Sequence, residues 1–267
     1  METQLETLKN KVLEGYAINR KDAILLSQMP LESLCSAADE IRTHFCGNDF
    51  DLCTIVNGKS GKCTENCKYC AQSSYYRTEV ESYPLLETDE LIKQAEYNQQ
   101  RGIFRYSIVT SGRKLNRQEV EQACESIRKL RKTTNLSICV SFGLLDETEF
   151  QMVKNAGATR IHNNLEASAN YFPNVCTTHT QEDKIKSIQA AQKAGLSICS
   201  GGIMGLGESM EDRIDLALSL KKLGVSSVPI NMLNPIPGTP YENNPRLTEE
   251  EMCRIVAIFR FILPNAY

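Results

Sequence analysis

Long hydrophobic runs, strongly basic segments and stretches rich in glycine, serine or proline are all missing from this sequence. Without a run of about 18 apolar residues, no segment reads as a membrane-spanning helix. Thirty lysines and arginines stand against 33 aspartates and glutamates, a net charge of -3. That balance argues against an electrostatic grip on nucleic acid or an anionic membrane. With no flexible linker to divide it, the chain is expected to form one domain over residues 1–267. The opening Met1-Glu2-Thr3-Gln4-Leu5-Glu6 lacks the basic start and apolar stretch of a signal peptide, so a cytoplasmic location is expected. Histidine is scarce as well, at His44, His162 and His179 alone.

Cysteine, by contrast, is abundant: 11 in 267 residues. A secreted disulfide framework does not suit a chain of this size with an odd cysteine count and no signal peptide. Reduced thiols in this number point to metal binding for some of them.

From residue 88 to 262 one unit repeats: a short apolar strand, a loop, then a capped helix. The helix starts are Asn116 with Glu119, Asp146 with Glu149, Thr180 with Asp183, Ser209 with Asp212 and Thr248 with Glu251. In each, the first side chain can accept from an orphan amide while the acid favours the positive helix end. Gly102, Gly157, Gly195 and Gly224 supply the left-handed stops. Strands are expected near 51–56, 104–109, 136–141, 159–165, 196–203 and 226–231, with Pro229 counting against a regular ladder in the last. Residues 1–48 read as a helical lead-in, and 49–267 as six βα units with a parallel sheet.

The strand faces choose between an open doubly wound sheet and a barrel. Leu136, Ile138 and Val140 alternate with Ser137, Cys139 and Ser141; Ile161 and Leu165 alternate with His162, Asn164 and Glu166. Strands covered on both sides would be apolar throughout. One apolar and one small, polar face fits a TIM-type (βα) barrel whose interior is a site. Eight strands would close it, so six units imply a partial or truncated barrel.

Directly after the first strand comes Cys63-Thr64-Glu65-Asn66-Cys67-Lys68-Tyr69-Cys70. Three thiolates within eight residues can converge on one metal centre. A structural zinc site needs four ligands, and no fourth Cys or His is near in sequence. Cubane ferredoxin sites also use four cysteines. Three therefore leave one iron open for a ligand, which suits catalysis. Ordinary buried thiols are the bland alternative. The glycine-rich stretch Gly201–Glu208 is by itself a weak signal, and its place late in the chain disfavours a dinucleotide site.

The spacing of Cys63, Cys67 and Cys70, with Tyr69 before the last, resembles the signature of the radical S-adenosylmethionine enzymes. Within them, Cys63–Ser73, Asn163–Glu166, Cys199–Glu208 and Val228–Pro240 are similar to the biotin synthase family. The resemblance implies a 4Fe–4S cluster on the three cysteines, with S-adenosylmethionine on the open iron and a 5′-deoxyadenosyl radical as product of its cleavage. It implies that Ile203 lies on the adenine, that the Tyr69 backbone contacts the adenine and that Glu166 binds the ribose hydroxyls. Lys184 stands near the methionine carboxylate, where the family commonly has Arg; Glu166 stands where it usually has Asp. Asn164 is expected on the ureido ring of dethiobiotin, with Asn231 and His162 as further substrate contacts.

The same resemblance implies a second, sulfur-donating cluster deep in the barrel, 2Fe–2S in most of the family. Cys139 and Cys199 match two of its ligands, Ser107 occupies the third cysteine position, and the usual arginine lies past residue 267. Cys53 faces inward with Ile55 and Asn57 by alternation, at what should be the same depth, and is the candidate replacement. Cys35, Cys46, Cys124, Cys176 and Cys253 read as ordinary buried thiols. A flavodoxin- or ferredoxin-type electron donor and a homodimer are the implied partners. Two other readings compete: a different barrel radical enzyme (methyltransferase, isomerase or lyase) and a non-catalytic iron–sulfur relay.

Overall fold

The computed structural model describes residues 2–267. In chain order the elements are α1 (Glu2–Leu13), α2 (Arg20–Ser27), α3 (Leu31–Cys46), β1 (Cys53–Lys59), α4 (Thr88–Gln99), β2 (Arg105–Thr110), α5 (Arg117–Thr133), β3 (Ser137–Ser141), α6 (Glu147–Ala156), β4 (Arg160–His162), α7 (Phe172–Val175), α8 (Gln181–Lys193), β5 (Ser197–Cys199), β6 (Gly202–Met204), α9 (Met210–Lys222), β7 (Ile230–Met232) and α10 (Glu249–Ile262). All five helix starts expected from the sequence are reciprocal capping boxes, at α5, α6, α8, α9 and α10. A sixth opens α2, where Asn19 and Asp22 exchange the same bonds. Gly157 closes α6 in the left-handed conformation, at φ 115.

Strands β1 to β5 form one parallel sheet in sequence order, and β6 pairs with β7, also parallel. Single bridges from Glu166 to Gly202 and from Cys199 to Ser227 carry the curvature from the first sheet into the second. Among the described residues β1 and β7 do not pair with each other, so the barrel is partial.

The expected strand at 196–203 is two strands. At the break, the Gly201 amide turns to the Asn164 side chain, donating to Oδ1 at 3.0 Å. A side chain has taken the donor that a ladder would have used. The last strand is shorter than its expected 226–231, since Pro229 cannot donate and regular pairing begins at Ile230.

The alternation sorts the faces as the sequence pattern implied. Val56, Tyr106, Ile108, Ile138, Val140, Ile161 and Ile198 are buried in the layer under the helices. Their neighbours Ser107, Cys139, His162 and Cys199 face the interior. Two inward arginines were not part of that expectation. Arg105 Nη2 and Arg160 Nη1 both reach Asp51 Oδ2 at 3.3 Å, and Arg160 also donates to Ser227 Oγ. They make the floor of the barrel cationic.

Candidate active site

The three cysteines lie on the loop after β1, and hydrogen bonds within it fix its curl. Cys63 N donates to Gln72 O, Ser74 N to Cys63 O, and Cys70 N to Cys67 O. All three thiols are half-buried. Burial pushes the Cys70 thiol up, and a hydrogen bond with Cys176 does the same, more strongly, to Cys67.

Across from this loop is a cavity of about 260 Å³ at the C-terminal ends of the strands. That is where a barrel of this kind places its chemistry. Cys63 and Cys67 line one side; His162, Asn163, Asn164, Glu166 and Lys184 line the other. Glu166 takes a left-handed backbone, at φ 69, which is costly for a residue with a side chain. Tyr69 Oη donates to its Oε1 at 3.1 Å, while its buried Oε2 has no partner. Burial pushes the Glu166 carboxyl up, and the Lys184 charge opposes that. Asn163 Nδ2 is also buried without a partner, although its Oδ1 accepts from Lys184 Nζ at 3.4 Å. Unpaired buried polar atoms of this kind are costly, and they suit a polar ligand that fills the cavity.

Beside the cavity, Ala167, Val175, Leu206, Leu233 and Tyr241 form a small apolar cluster, with Tyr69, Tyr171 and Ile203 packed on it. It joins the cysteine loop to the glycine-rich loop. The latter is fixed by Glu208, whose Oε1 accepts from Gly205 N at 2.8 Å and from Arg213 Nε at 2.6 Å. The donor set fits the implied groups: three thiols on one loop for a cluster, two of them, Cys63 and Cys67, lining a cavity that also holds the Glu166 carboxylate, while Cys70, Tyr69 and Ile203 lie outside its lining.

The deeper cysteines are placed less uniformly. Ser107 pairs with Cys139 across β2 and β3, both buried. Burial pushes the Cys139 thiol up to about 12, with the Ser107 hydroxyl bond acting the other way and the nearby Cys199 and Cys53 thiols adding to it. Cys199 Sγ lies 3.3 Å from His162 Nδ1. Cys53 does not stand at the expected depth. It pairs with Arg105, while Ile55 pairs with Ser107, so Cys53 is one inward position lower and is exposed. The alternation gave the face correctly, but the register, which sets the depth, comes only from the pairing.

Asn231 is exposed on β7, its Nδ2 3.4 Å from Gly202 O, and it does not line the cavity. The loop's neighbourhood also differs from the sequence expectation of no further Cys or His near it. Cys176 and His179, more than a hundred residues on, pack against Cys67, and Glu65 Oε2 lies 2.5 Å from His179 Nδ1. The Cys-x-x-His spacing of Cys176 and His179 was the available signal.

The family model described as Radical SAM superfamily matches residues 59–220, and that described as Biotin and Thiamin Synthesis associated domain matches 229–267. A biotin synthase of Brachyspira hyodysenteriae is 54% identical over 266 residues, which is 100% of this chain and 80% of that protein. One from Akkermansia muciniphila is 55% identical over 261 residues, covering 98% and 81%. Among solved structures, methylornithine synthase superposes with a TM-score of 0.85 at 20% identity, over 97% of this chain and 77% of that one. The FeFe-hydrogenase maturase from Carboxydothermus hydrogenoformans gives 0.82 at 18%, over 99% and 64%. These two show a shared fold.

Proposed function

Because the chain belongs to the radical S-adenosylmethionine superfamily and, within it, to the biotin synthase family, we propose that this cavity converts dethiobiotin to biotin. The observation that carries the reading is the three-thiol loop, whose Cys63 and Cys67 line one cavity together with Glu166 and Lys184. A 4Fe–4S cluster and S-adenosylmethionine bound there supply the 5′-deoxyadenosyl radical that takes hydrogen from substrate carbons, and an auxiliary cluster supplies the sulfur.

Cys63, Cys67 and Cys70 are the protein ligands of the first cluster. Glu166, which lines the cavity, receives the ribose hydroxyls through its unpartnered Oε2. Ile203 lies on the adenine and the Tyr69 backbone contacts it, while Lys184 neutralises the methionine carboxylate. A lysine does this as a point charge, without the two parallel bonds of an arginine. Asn164 and His162 contact the substrate. Asn164 Oδ1 already accepts from Gly201, so substrate is met by its Nδ2, which also lies beside the Glu166 carboxyl. Asn231 belongs to the same proposal from the family resemblance alone.

Cys139, Cys199 and Cys53, with Ser107 beside Cys139, hold the auxiliary cluster. Arg105, paired with Cys53, and Arg160, paired with Cys139, favour an anionic centre. A flavodoxin- or ferredoxin-type donor supplies the electron, and the assembly is a homodimer. Among the described residues no helix is long and apolar enough to cross a membrane.

The test is anaerobic reconstitution followed by turnover with dethiobiotin, reading 5′-deoxyadenosine and biotin together. Both products are expected from the native sequence. Cys67→Ala, which removes one of three ligands, should give neither, and near-native 5′-deoxyadenosine from that variant would overturn the assignment.

A further inference from the structure

Two side chains that the proposed reaction leaves unused stand against one that it needs. The cysteine loop is stapled to residues 175–179: Lys68 N donates to Val175 O at 3.0 Å, and Asn66 Oδ1 accepts from Thr177 N at 2.9 Å and Thr178 N at 3.2 Å. Thr178 Oγ1 completes the staple by donating to Glu65 Oε2 at 2.8 Å. The consequence is that Cys67 Sγ, Cys176 Sγ and His179 Nδ1 all lie within 4.8 Å of one another. Cys176 is 2% exposed and His179 is 7% exposed, so the group is screened from water on most sides. His179 Nε2 has no partner, and Cys176 Sγ is 3.3 Å from Nδ1.

The geometry points to a mononuclear metal site on Cys67, Cys176 and His179, filled by a thiophilic divalent ion such as Zn²⁺ or Fe²⁺ when the radical cluster is not in place. In a tetrahedral zinc centre the donors sit about 2.3 Å (sulfur) and about 2.0 Å (nitrogen) from the metal, which puts S and N about 3.5 Å apart. The observed 3.3 Å between Cys176 Sγ and His179 Nδ1 is near that edge. Two sulfurs and one imidazole select against magnesium and calcium, which prefer oxygen. Water takes the fourth position, since Glu65 lies against Nδ1 itself and outside the group that converges with both thiols. On binding, the thiol protons leave to solvent, and the imidazole proton that Nδ1 gives to Glu65 in the metal-free protein moves to Nε2, freeing Nδ1 for the ion.

Cys67 serves both centres, so they exclude one another. The ion holds the loop in its docked form, and cluster assembly must displace it. This makes Cys176 and His179 a holding site rather than part of the catalytic centre. Only the competition arm below rests on the proposed reading of Cys67 as a cluster ligand; the binding arm does not.

The test uses the full chain stripped of iron, titrated anaerobically with Co²⁺ and then Zn²⁺. About one Co²⁺ per chain should bind, with thiolate-to-cobalt charge transfer in the near ultraviolet and the red d–d bands of a tetrahedral ion. Cys176→Ala and His179→Gln should each weaken binding by on the order of 100-fold, while Cys63→Ala and Cys70→Ala leave it unchanged. Cys176→Ser keeps the size and hydrogen bonding and should lose about half of the charge-transfer intensity, so a fold defect in the alanine variant does not obscure the outcome. The reverse pattern, with Cys63→Ala weakening the site and Cys176→Ser leaving the spectrum intact, would place the ion on the three loop cysteines and overturn the proposal. In the second arm, Zn²⁺-loaded native protein should assemble its iron–sulfur cluster more slowly than stripped protein. Cys176→Ala should show no such difference; equal slowing in that variant also counts against the site.

Discussion

Replacing Glu208 with alanine should be strongly damaging, because it removes one half of a buried ion pair. Arg213 Nε lies 2.6 Å from Glu208 Oε1, and the two side chains are 9% and 2% exposed. Alanine leaves the guanidinium without its counter-charge in a site where water cannot replace it. Breaking a buried pair from one side costs about 3–5 kcal/mol. The same oxygen accepts from Gly205 N, so that amide is orphaned too. For a domain of this size the loss corresponds to a fall in melting temperature of roughly 6–20 °C. The glycine-rich loop that carries Ile203 then loses its anchor, and affinity for S-adenosylmethionine should fall along with stability. Glu208→Gln keeps an acceptor for both donors and should recover a large part of each. Urea unfolding and calorimetric titration with S-adenosylmethionine measure the two effects. Loss of less than about 1 kcal/mol in Glu208→Ala, the range of an exposed pair, would refute the claim that the pair is buried and unreplaced.

The other predictions concern the cavity and the deeper cysteines. Asn164→Ala should weaken dethiobiotin binding by about 1–3 kcal/mol, the cost of an unpaired polar partner, with little change for S-adenosylmethionine; an equal fall in both affinities would make Asn164 purely structural. Cys53→Ala should keep S-adenosylmethionine cleavage but lose the auxiliary Mössbauer signal and biotin formation, with Cys35→Ala as control. A full iron count and normal biotin yield would reduce Cys53 to an ordinary thiol. Burial, and then the Lys184 charge, lowers His162 from 6.5 to about 4. The unfolded chain therefore takes up a proton that the folded one refuses, and stability should drop as pH falls from 6.5 towards 4. His162→Gln should show a shallower slope over that interval in denaturant titrations of the cluster-free protein, and an unchanged slope would mean that His162 is solvated.

How much of this was legible beforehand follows from which interactions are local. Capping boxes span three residues, so Asn116, Asp146, Thr180, Ser209 and Thr248 announced their helices in the sequence. Alternation with period two placed Cys139, His162 and Cys199 on the inner face, because a strand's geometry leaves no other choice. The three-cysteine loop was readable for the same reason: eight residues bring its ligands together without help from the rest of the chain.

Register, depth and long-range docking were decided by tertiary structure. The pairing of Cys53 with Arg105 rather than Ser107 depends on how two strands slide past each other, which no local pattern records. The break at Gly201 arises because Asn164, 37 residues earlier, takes its amide. The Arg105–Asp51–Arg160 floor joins three separate strand ends through charges that the alternation rule treats as unremarkable polar positions. Cys176 and His179 reach Cys67 only because Asn66 docks the loop onto residues 177 and 178. A sequence determines what its neighbouring residues do to one another through backbone geometry. Which distant thiol meets which imidazole waits on packing, where many weak contacts fix a distance that no single one specifies.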